Sequence, residues 1–131
     1  MKREDRKVAW CSDPMHGNII TTQNGYKARP IQNILSEIKS FNEIHHSEGI
    51  YAGGVHFELT GKDVIECIGG GQAITQEHLA EGPYETLFDP RLNATQALEL
   101  AFQLSDSSKD TSVSESKIAK SVIILSIIPR N

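Results

Sequence analysis

The feature that most restricts the fold of this chain is an alternation of short apolar strands with amphipathic helices over 131 residues. Residues 7–12 are predicted to form a first buried strand. Residues 52–61 are predicted to form a second, in which apolar residues alternate with His56 and Glu58. A third short strand is predicted at residues 84–88. Because strands that alternate with helices pair in parallel, this order predicts an α/β fold of about three βα units.

The segments between the strands carry helix and turn signals. Apolar residues recur at helical spacing from Pro30 to about Ile44, and residues 75–82 are a short helix candidate. A third helix is predicted from Asn93, and its packed face is predicted to comprise Ala97, Leu98, Ala101, Phe102 and Leu104. Residues 24–30, which start with an Asn-Gly turn signal, are predicted to form a loop.

The composition narrows the possible classes of function. Thirteen basic against 17 acidic residues give a net charge of −4, which argues against nucleic acid as the main partner. The longest apolar run, residues 122–128, is far shorter than the roughly 20 residues that span a bilayer, so no membrane segment is expected. Cys11 and Cys67 form no CxxC pair and suggest a reducing compartment, although a single disulfide stays possible.

Three polar side chains occupy matched positions near the ends of the predicted strands. His16 follows the first strand, Glu58 lies near the end of the second, and Asp89 follows the third. Because the carboxyl ends of parallel strands share one edge of a sheet, these groups can converge there. One imidazole and two carboxylates suit a divalent ion such as Mn²⁺, Fe²⁺, Co²⁺ or Zn²⁺. On spacing alone, ordinary turn roles explain His16 and Asp89 equally well, since Asp-Pro sequences start many turns.

Two basic residues, Lys27 and Arg29, lie in the segment after the first strand, on the same predicted edge as His16. Both suit an anionic substrate, because charge-assisted hydrogen bonds to phosphate or carboxylate are strong. A solvated loop without a ligand is the alternative. No catalytic acid, base or nucleophile is assigned from the sequence.

Several motifs, in this order, resemble those of the class II, plant-type 3-deoxy-D-arabino-heptulosonate 7-phosphate (DAHP) synthases. They are DPMHGN at 13–18, GGVHFELTG at 53–61, ECIGG at 66–70, DPRLN at 89–93 and ALELAF at 97–102. The resemblance implies the C-terminal part of a (β/α)8 TIM barrel. It also implies a metal-dependent transferase that condenses phosphoenolpyruvate with erythrose 4-phosphate, the first step of the shikimate pathway of aromatic amino acid biosynthesis.

The resemblance also implies roles for individual residues. The family binds its metal through a cysteine, a histidine, a glutamate and an aspartate, and the motifs place the last three on His16, Glu58 and Asp89. Mn²⁺ or Co²⁺ is the expected ion. Lys27 and Arg29 match a Lys-x-Arg element and are the expected substrate contacts. The cysteine ligand belongs to an earlier barrel strand that the chain does not include.

The resemblance covers residues 1–104 as a partial barrel domain, whereas residues 105–131 form a Ser-rich linker and an apolar tail unlike the family. Since family enzymes are several times longer, the isolated chain is expected to be inactive and marginally soluble through open strand edges. It would be a complementing fragment that needs the missing N-terminal portion or a homo-oligomer, or a non-catalytic remnant that binds metal or nothing. A third alternative is a small interaction module that reuses the βα units. The expected location is the cytoplasm, or the plastid for a plant protein.

Overall fold

A computed structural model describes residues 7–107 and the backbone of residues 122–127. Six strands and three helices lie in these residues. In chain order they are β1 (Trp10–Ser12), β2 (Ile20–Thr21), β3 (Lys27–Pro30), α1 (Ile31–Ser47), β4 (Ala52–Leu59), β5 (Cys67–Ile68), α2 (Gln76–Glu81), α3 (Ala94–Ser107) and β6 (Val122–Ile127).

The main sheet consists of β1, β4 and β6 in that order, and both strand pairs are parallel. A smaller sheet pairs β3 with β2 in antiparallel and with β5 in parallel orientation. The predicted α/β class is therefore confirmed. Because β1 and β4 run in the same direction, their carboxyl ends lie at the same edge of the main sheet, as the site prediction requires.

Strand β4 has the predicted alternation of apolar and polar side chains. Val55, Phe57 and Leu59 are buried in the hydrophobic core, which also receives three isoleucines from the buried face of α1: Ile31, Ile34 and Ile38. Burial of each such side chain contributes about 1.5–3 kcal/mol to folding. His56 and Glu58 consequently point to the opposite face of the sheet, since successive side chains on a strand alternate.

The predicted start of α3 at Asn93 is confirmed by a reciprocal capping box. The Asn93 backbone N–H donates to Gln96 Oε1 at 3.0 Å, and the Gln96 backbone N–H donates to Asn93 Oδ1 at 2.8 Å. The packed face differs from the prediction, because Leu98 and Phe102 are 60% and 69% exposed. Leu104 lies in the core and Ala97 packs against it, as predicted, whereas Leu100, which was not predicted, is also a core residue. The exposed pair, Leu98 and Phe102, and the buried pair, Leu100 and Leu104, are each spaced four residues apart. The pairs are offset by two positions along the chain and therefore lie on opposite sides of the helix.

Two predictions of secondary structure were wrong, one of a strand and one of a loop. Residues 84–88 form turns and bends, because the Thr86 hydroxyl binds the carbonyl oxygen of Asp89 and the N–H of Phe88. The parallel contact with β4 comes later, at a single bridge between Leu59 and Leu92. The segment predicted to be a loop is the strand β3, although the predicted turn before it is present, with Gly25 at a φ of 86°.

The C-terminal apolar run is part of the main sheet. The six residues of β6 pair in parallel with Gly54–Leu59 of β4. Helix α3 continues to Ser107, and the rest of the predicted Ser-rich linker lies outside the described residues. In the part of the chain that the structure describes, every helix is too short or too polar to cross a membrane.

Candidate metal centre

The structure brings together two of the three predicted metal ligands, His16 and Glu58. After β1 the chain turns at Asp13, and the buried side chains of Pro14 and Met15 anchor a single 3-10 turn that begins at His16. His16 Nε2 lies 3.1 Å from Glu58 Oε1. The contact therefore joins a side chain just past β1 to one near the end of β4.

The spacing of these two atoms fits a shared divalent ion. An ion at about 2.0–2.2 Å from each ligand atom places neighbouring ligand atoms about 2.8–3.6 Å apart in octahedral or tetrahedral geometry. The observed 3.1 Å separation of His16 Nε2 and Glu58 Oε1 lies inside that range. A neutral imidazole and a carboxylate are also suitable donors for Mn²⁺ or Co²⁺.

Asp13 and His56 belong to the same cluster, and the sequence reasoning missed both. Asp13 Oδ2 lies 2.6 Å from His16 Nδ1 and 3.4 Å from His56 Nδ1. Ligand atoms of these three residues all lie within 4.8 Å of one another. Two sequence signals pointed to them: Asp13 precedes His16 by three residues, and His56 shares a face of β4 with Glu58.

The carboxyl group of Asp13 is stabilised in its ionised form. Partial burial acts to raise its pKa, but this effect is outweighed by hydrogen bonds from the His16 side chain, the backbone N–H groups of His16 and Met15, and the His56 side chain. The pKa of Asp13 is therefore lowered. An ionised Asp13 accepts hydrogen bonds at both oxygens, which suits it to hold imidazole groups in place.

The predicted substrate residue Arg29 is fully buried against Glu58. Its Nη1 donates to Glu58 Oε2 at 2.7 Å and also to the Pro90 carbonyl oxygen. Among the described residues, Nε and Nη2 of Arg29 have no hydrogen-bond acceptor although both are buried. A buried donor without an acceptor costs about 1–3 kcal/mol, so these two groups favour any acceptor that reaches them.

The third predicted ligand, Asp89, is not a member of the His16 cluster. Its Oδ1 lies 3.3 Å from Lys27 Nζ, an ammonium group that is half exposed. The Tyr84 hydroxyl donates to the Lys27 carbonyl oxygen at 2.8 Å and so fixes the backbone at Lys27. Four of the five predicted site residues thus form two acid–base pairs, Lys27 with Asp89 and Arg29 with Glu58, in which the basic members are alternate residues of β3.

A buried ion pair fixes the segment that carries Asp89. Glu66 is fully buried and accepts three hydrogen bonds from Arg91, from its backbone N–H at 2.8 Å, Nε at 3.0 Å and Nη2 at 2.8 Å. A fourth bond comes from the backbone N–H of Glu85 at 3.3 Å. Because Glu66 immediately precedes β5, the pair ties the segment with Asp89 to the smaller sheet.

Both cysteines are free, with Cys11 exposed and Cys67 buried. The Cys67 thiol donates to the Arg91 carbonyl oxygen at 3.3 Å. Burial raises the pKa of Cys67 to about 12, although the positive charge of Arg29 opposes the shift. Since the thiolate is the metal-binding and nucleophilic form of cysteine, Cys67 is an inert structural residue at neutral pH.

The raised pKa of Cys67 predicts a loss of stability in alkali. The unfolded thiol ionises near its ordinary value of 9.0, whereas the folded thiol stays protonated to about 12. The contribution of the Cys67 thiol to the free energy of unfolding is therefore complete below pH 9.0. It is lost between these two pH values, by about 1.4 kcal/mol per pH unit. The free energy of unfolding, measured with urea across this pH range, should decline less steeply with pH in Cys67→Ala than in the wild type. Cys11→Ala is the matched control, and equal slopes for all three proteins would contradict the prediction.

Comparison with known proteins gives the family. The chain matches the class-II DAHP synthetase family over residues 1–105. It belongs to that family. A relative from Mycolicibacterium smegmatis, named phospho-2-dehydro-3-deoxyheptonate aldolase AroG, is 48% identical over 104 residues, which is 79% of this chain and 22% of the relative. This confirms the family resemblance and places the chain in a family of transferase-type enzymes.

Two Streptomyces relatives named phospho-2-dehydro-3-deoxyheptonate aldolase show the same level of similarity. The protein from Streptomyces coelicolor is 48% identical over 103 residues, which cover 79% of this chain and 23% of the relative. The protein from Streptomyces lividans has the same identity over 103 residues, and these cover 70% of its length. The chain therefore spans less than a quarter of the length of the Mycolicibacterium and S. coelicolor relatives.

Proposed function

We propose that this chain is the C-terminal portion of a class II DAHP synthase and forms part of its metal-dependent active site. In this proposal the complete enzyme condenses phosphoenolpyruvate with erythrose 4-phosphate in the shikimate pathway. The contact between His16 Nε2 and Glu58 Oε1 across two parallel strands carries the proposal, because both residues lie in motifs that resemble those of the family and within the range that matches it. Parallel strands with polar groups at their carboxyl ends also suit the active face of a (β/α)8 barrel.

The metal ligands from this chain would be His16, Glu58 and Asp89. A bound Mn²⁺ or Co²⁺ ion would supply Lewis-acid polarisation of the aldehyde oxygen of erythrose 4-phosphate. Arg29 prepares Glu58 for this role, since it binds Oε2 and leaves Oε1 directed at His16. Asp89 would complete the set from its partly exposed position beside Lys27.

Lys27 and Arg29 are the proposed contacts for the anionic groups of the substrates. Lys27 offers a half-exposed ammonium group at the same side of β3 as Arg29. Arg29 has two buried donors available at Nε and Nη2. Charge-assisted hydrogen bonds from such groups hold phosphate or carboxylate in a fixed orientation.

Glu58→Gln is expected to weaken Co²⁺ or Mn²⁺ binding, because an amide oxygen replaces a charged ligand. Calorimetric titration should show one ion per chain for the wild type and at least a ten-fold weaker constant for Glu58→Gln and His16→Ala, of the order seen when single groups at metal sites are removed. Glu43→Gln, which removes the same charge from the exposed side of α1, is the matched control. Equal affinities for wild type and Glu58→Gln would exclude this metal position.

Catalysis is tested by complementation. The chain alone is expected to form no heptulosonate phosphate, whereas a mixture with the separately produced N-terminal part of the Mycolicibacterium relative is expected to form it. The same mixture with Glu58→Gln should be inactive. If the wild-type mixture makes no product under conditions in which the intact relative does, the catalytic proposal fails and a non-catalytic metal-binding or interaction module takes its place.

A further inference from the structure

Both ring nitrogens of His16 face carboxylate oxygens. Nδ1 lies 2.6 Å from Asp13 Oδ2, and Nε2 lies 3.1 Å from Glu58 Oε1. A neutral imidazole carries one N–H group and one lone pair, so only one of the two nitrogens donates. Which nitrogen donates decides whether His16 can be a metal ligand on the side of Glu58.

The contacts favour Asp13 as the acceptor of the imidazole N–H. The 2.6 Å separation is that of a short charge-assisted hydrogen bond, whereas the contact with Glu58, at 3.1 Å, is 0.5 Å longer. Asp13 is also held in place, because its Oδ1 accepts the backbone N–H groups of Met15 at 3.1 Å and His16 at 3.3 Å. Glu58 already accepts from the buried Arg29 guanidinium.

We propose that Asp13 is a positioning residue that holds His16 as the Nδ1–H tautomer and directs the Nε2 lone pair toward the metal position beside Glu58. This inference rests on the proposed metal centre. Histidine ligands generally donate their second N–H to a carboxylate or carbonyl group, which fixes the orientation of the ring and raises its basicity. Asp13 is suited to this role because it lies three residues before His16 and binds its backbone as well as its ring.

A direct role of Asp13 as a metal ligand fits the distances less well. The 2.6 Å between Asp13 Oδ2 and His16 Nδ1 is shorter than the spacing of about 2.8–3.6 Å between neighbouring ligands of one ion. Asp13 and Glu58 also face different nitrogens of the His16 ring, Nδ1 and Nε2. The alternative site of Asp13, His16 and His56 would use His56 as a ligand, whereas the site beside Glu58 would not. These two arrangements predict different effects of His56→Ala.

The wild-type protein tests the tautomer directly. Long-range ¹H–¹⁵N spectra of the metal-free chain at alkaline pH should show His16 with its proton on Nδ1. In Asp13→Asn, the amide Oδ1 still accepts from Met15 and His16, but the amide NH₂ donates to Nδ1, so the proton should move to Nε2. Asp106→Asn at the exposed end of α3 removes the same charge and should leave the tautomer unchanged. A proton on Nε2 in the wild type overturns the inference without any variant.

Metal affinity supplies the second readout. Asp13→Asn is expected to weaken Co²⁺ binding about 10–100-fold, as loss of a partner behind a ligand does. His56→Ala should leave binding nearly unchanged, and a loss equal to that in His16→Ala would instead establish the site of Asp13, His16 and His56. A wild-type chain that binds no Co²⁺ contradicts the proposed metal centre, while the spectra still decide whether Asp13 sets the tautomer. An unchanged affinity in Asp13→Asn overturns the inference even where His16 and Glu58 bind the ion.

Discussion

Arg91→Ala is expected to lower the free energy of unfolding by about 3–5 kcal/mol, because it leaves the charge of Glu66 buried without its partner. Glu66 is fully buried, and three of its four described hydrogen bonds come from Arg91. The variant keeps the backbone bond but loses both guanidinium bonds. Since small domains are stable by about 5–15 kcal/mol in total, this change alone should leave a large unfolded fraction on mild heating.

Urea unfolding measured by circular dichroism gives this difference. Lys62→Ala is the matched control, since it breaks a 3.0 Å ion pair with Glu85 that is exposed to solvent. Exposed pairs contribute about 0–1 kcal/mol, so the control should unfold close to the wild type. A loss below 1 kcal/mol in Arg91→Ala would show that Glu66 finds another partner or becomes protonated at little cost.

Truncation after Ser107 is expected to produce a chain that associates with itself. It removes β6 and exposes the backbone groups of Gly54–Leu59 in β4 that pair with it. Each lost hydrogen bond contributes about 0.5–1.5 kcal/mol net, so the melting temperature should also fall. An unpaired strand edge next to an apolar core is a template for pairing with a second chain.

Light scattering over a range of protein concentrations measures the association. The matched control replaces residues 108–120 by a Gly/Ser segment of equal length, which keeps β6 and its connection length. The control should behave like the wild type, and the truncated chain should form larger species as concentration rises. A truncated chain that stays monomeric with an unchanged melting temperature would show that β6 contributes nothing to the sheet.

The periodic parts of the sequence were predictable because short-range physics determines them. The spacing of Ile31, Ile34 and Ile38 predicted the buried face of α1, and Asn93 with Gln96 predicted the cap of α3. Prediction failed where two patterns of equal quality competed. On α3, two apolar pairs occupy opposite sides of the helix, and only contact with the core selects one of them.

The prediction of a third strand at residues 84–88 failed for a related reason. Residues 84–88 have the apolar content of a strand, but the Thr86 hydroxyl competes for the backbone groups and folds the segment into a turn. The bridge to β4 then forms at Leu92, a single residue that no local pattern marks. The pairing of β6 with β4 could not be predicted from local sequence patterns either, since it joins residues far apart in the chain.

The sequence by itself determined the family, the α/β class and the candidate ligands His16, Glu58 and Asp89, because motifs and strand periodicity are local properties. Only the tertiary structure decided which of these groups meet. It placed His16 beside Glu58, paired Asp89 with Lys27, buried Arg29 behind Glu58 and added Asp13 to the site. The reason is that a side chain's partner depends on distances across the sheet, which the order of residues along one strand does not contain.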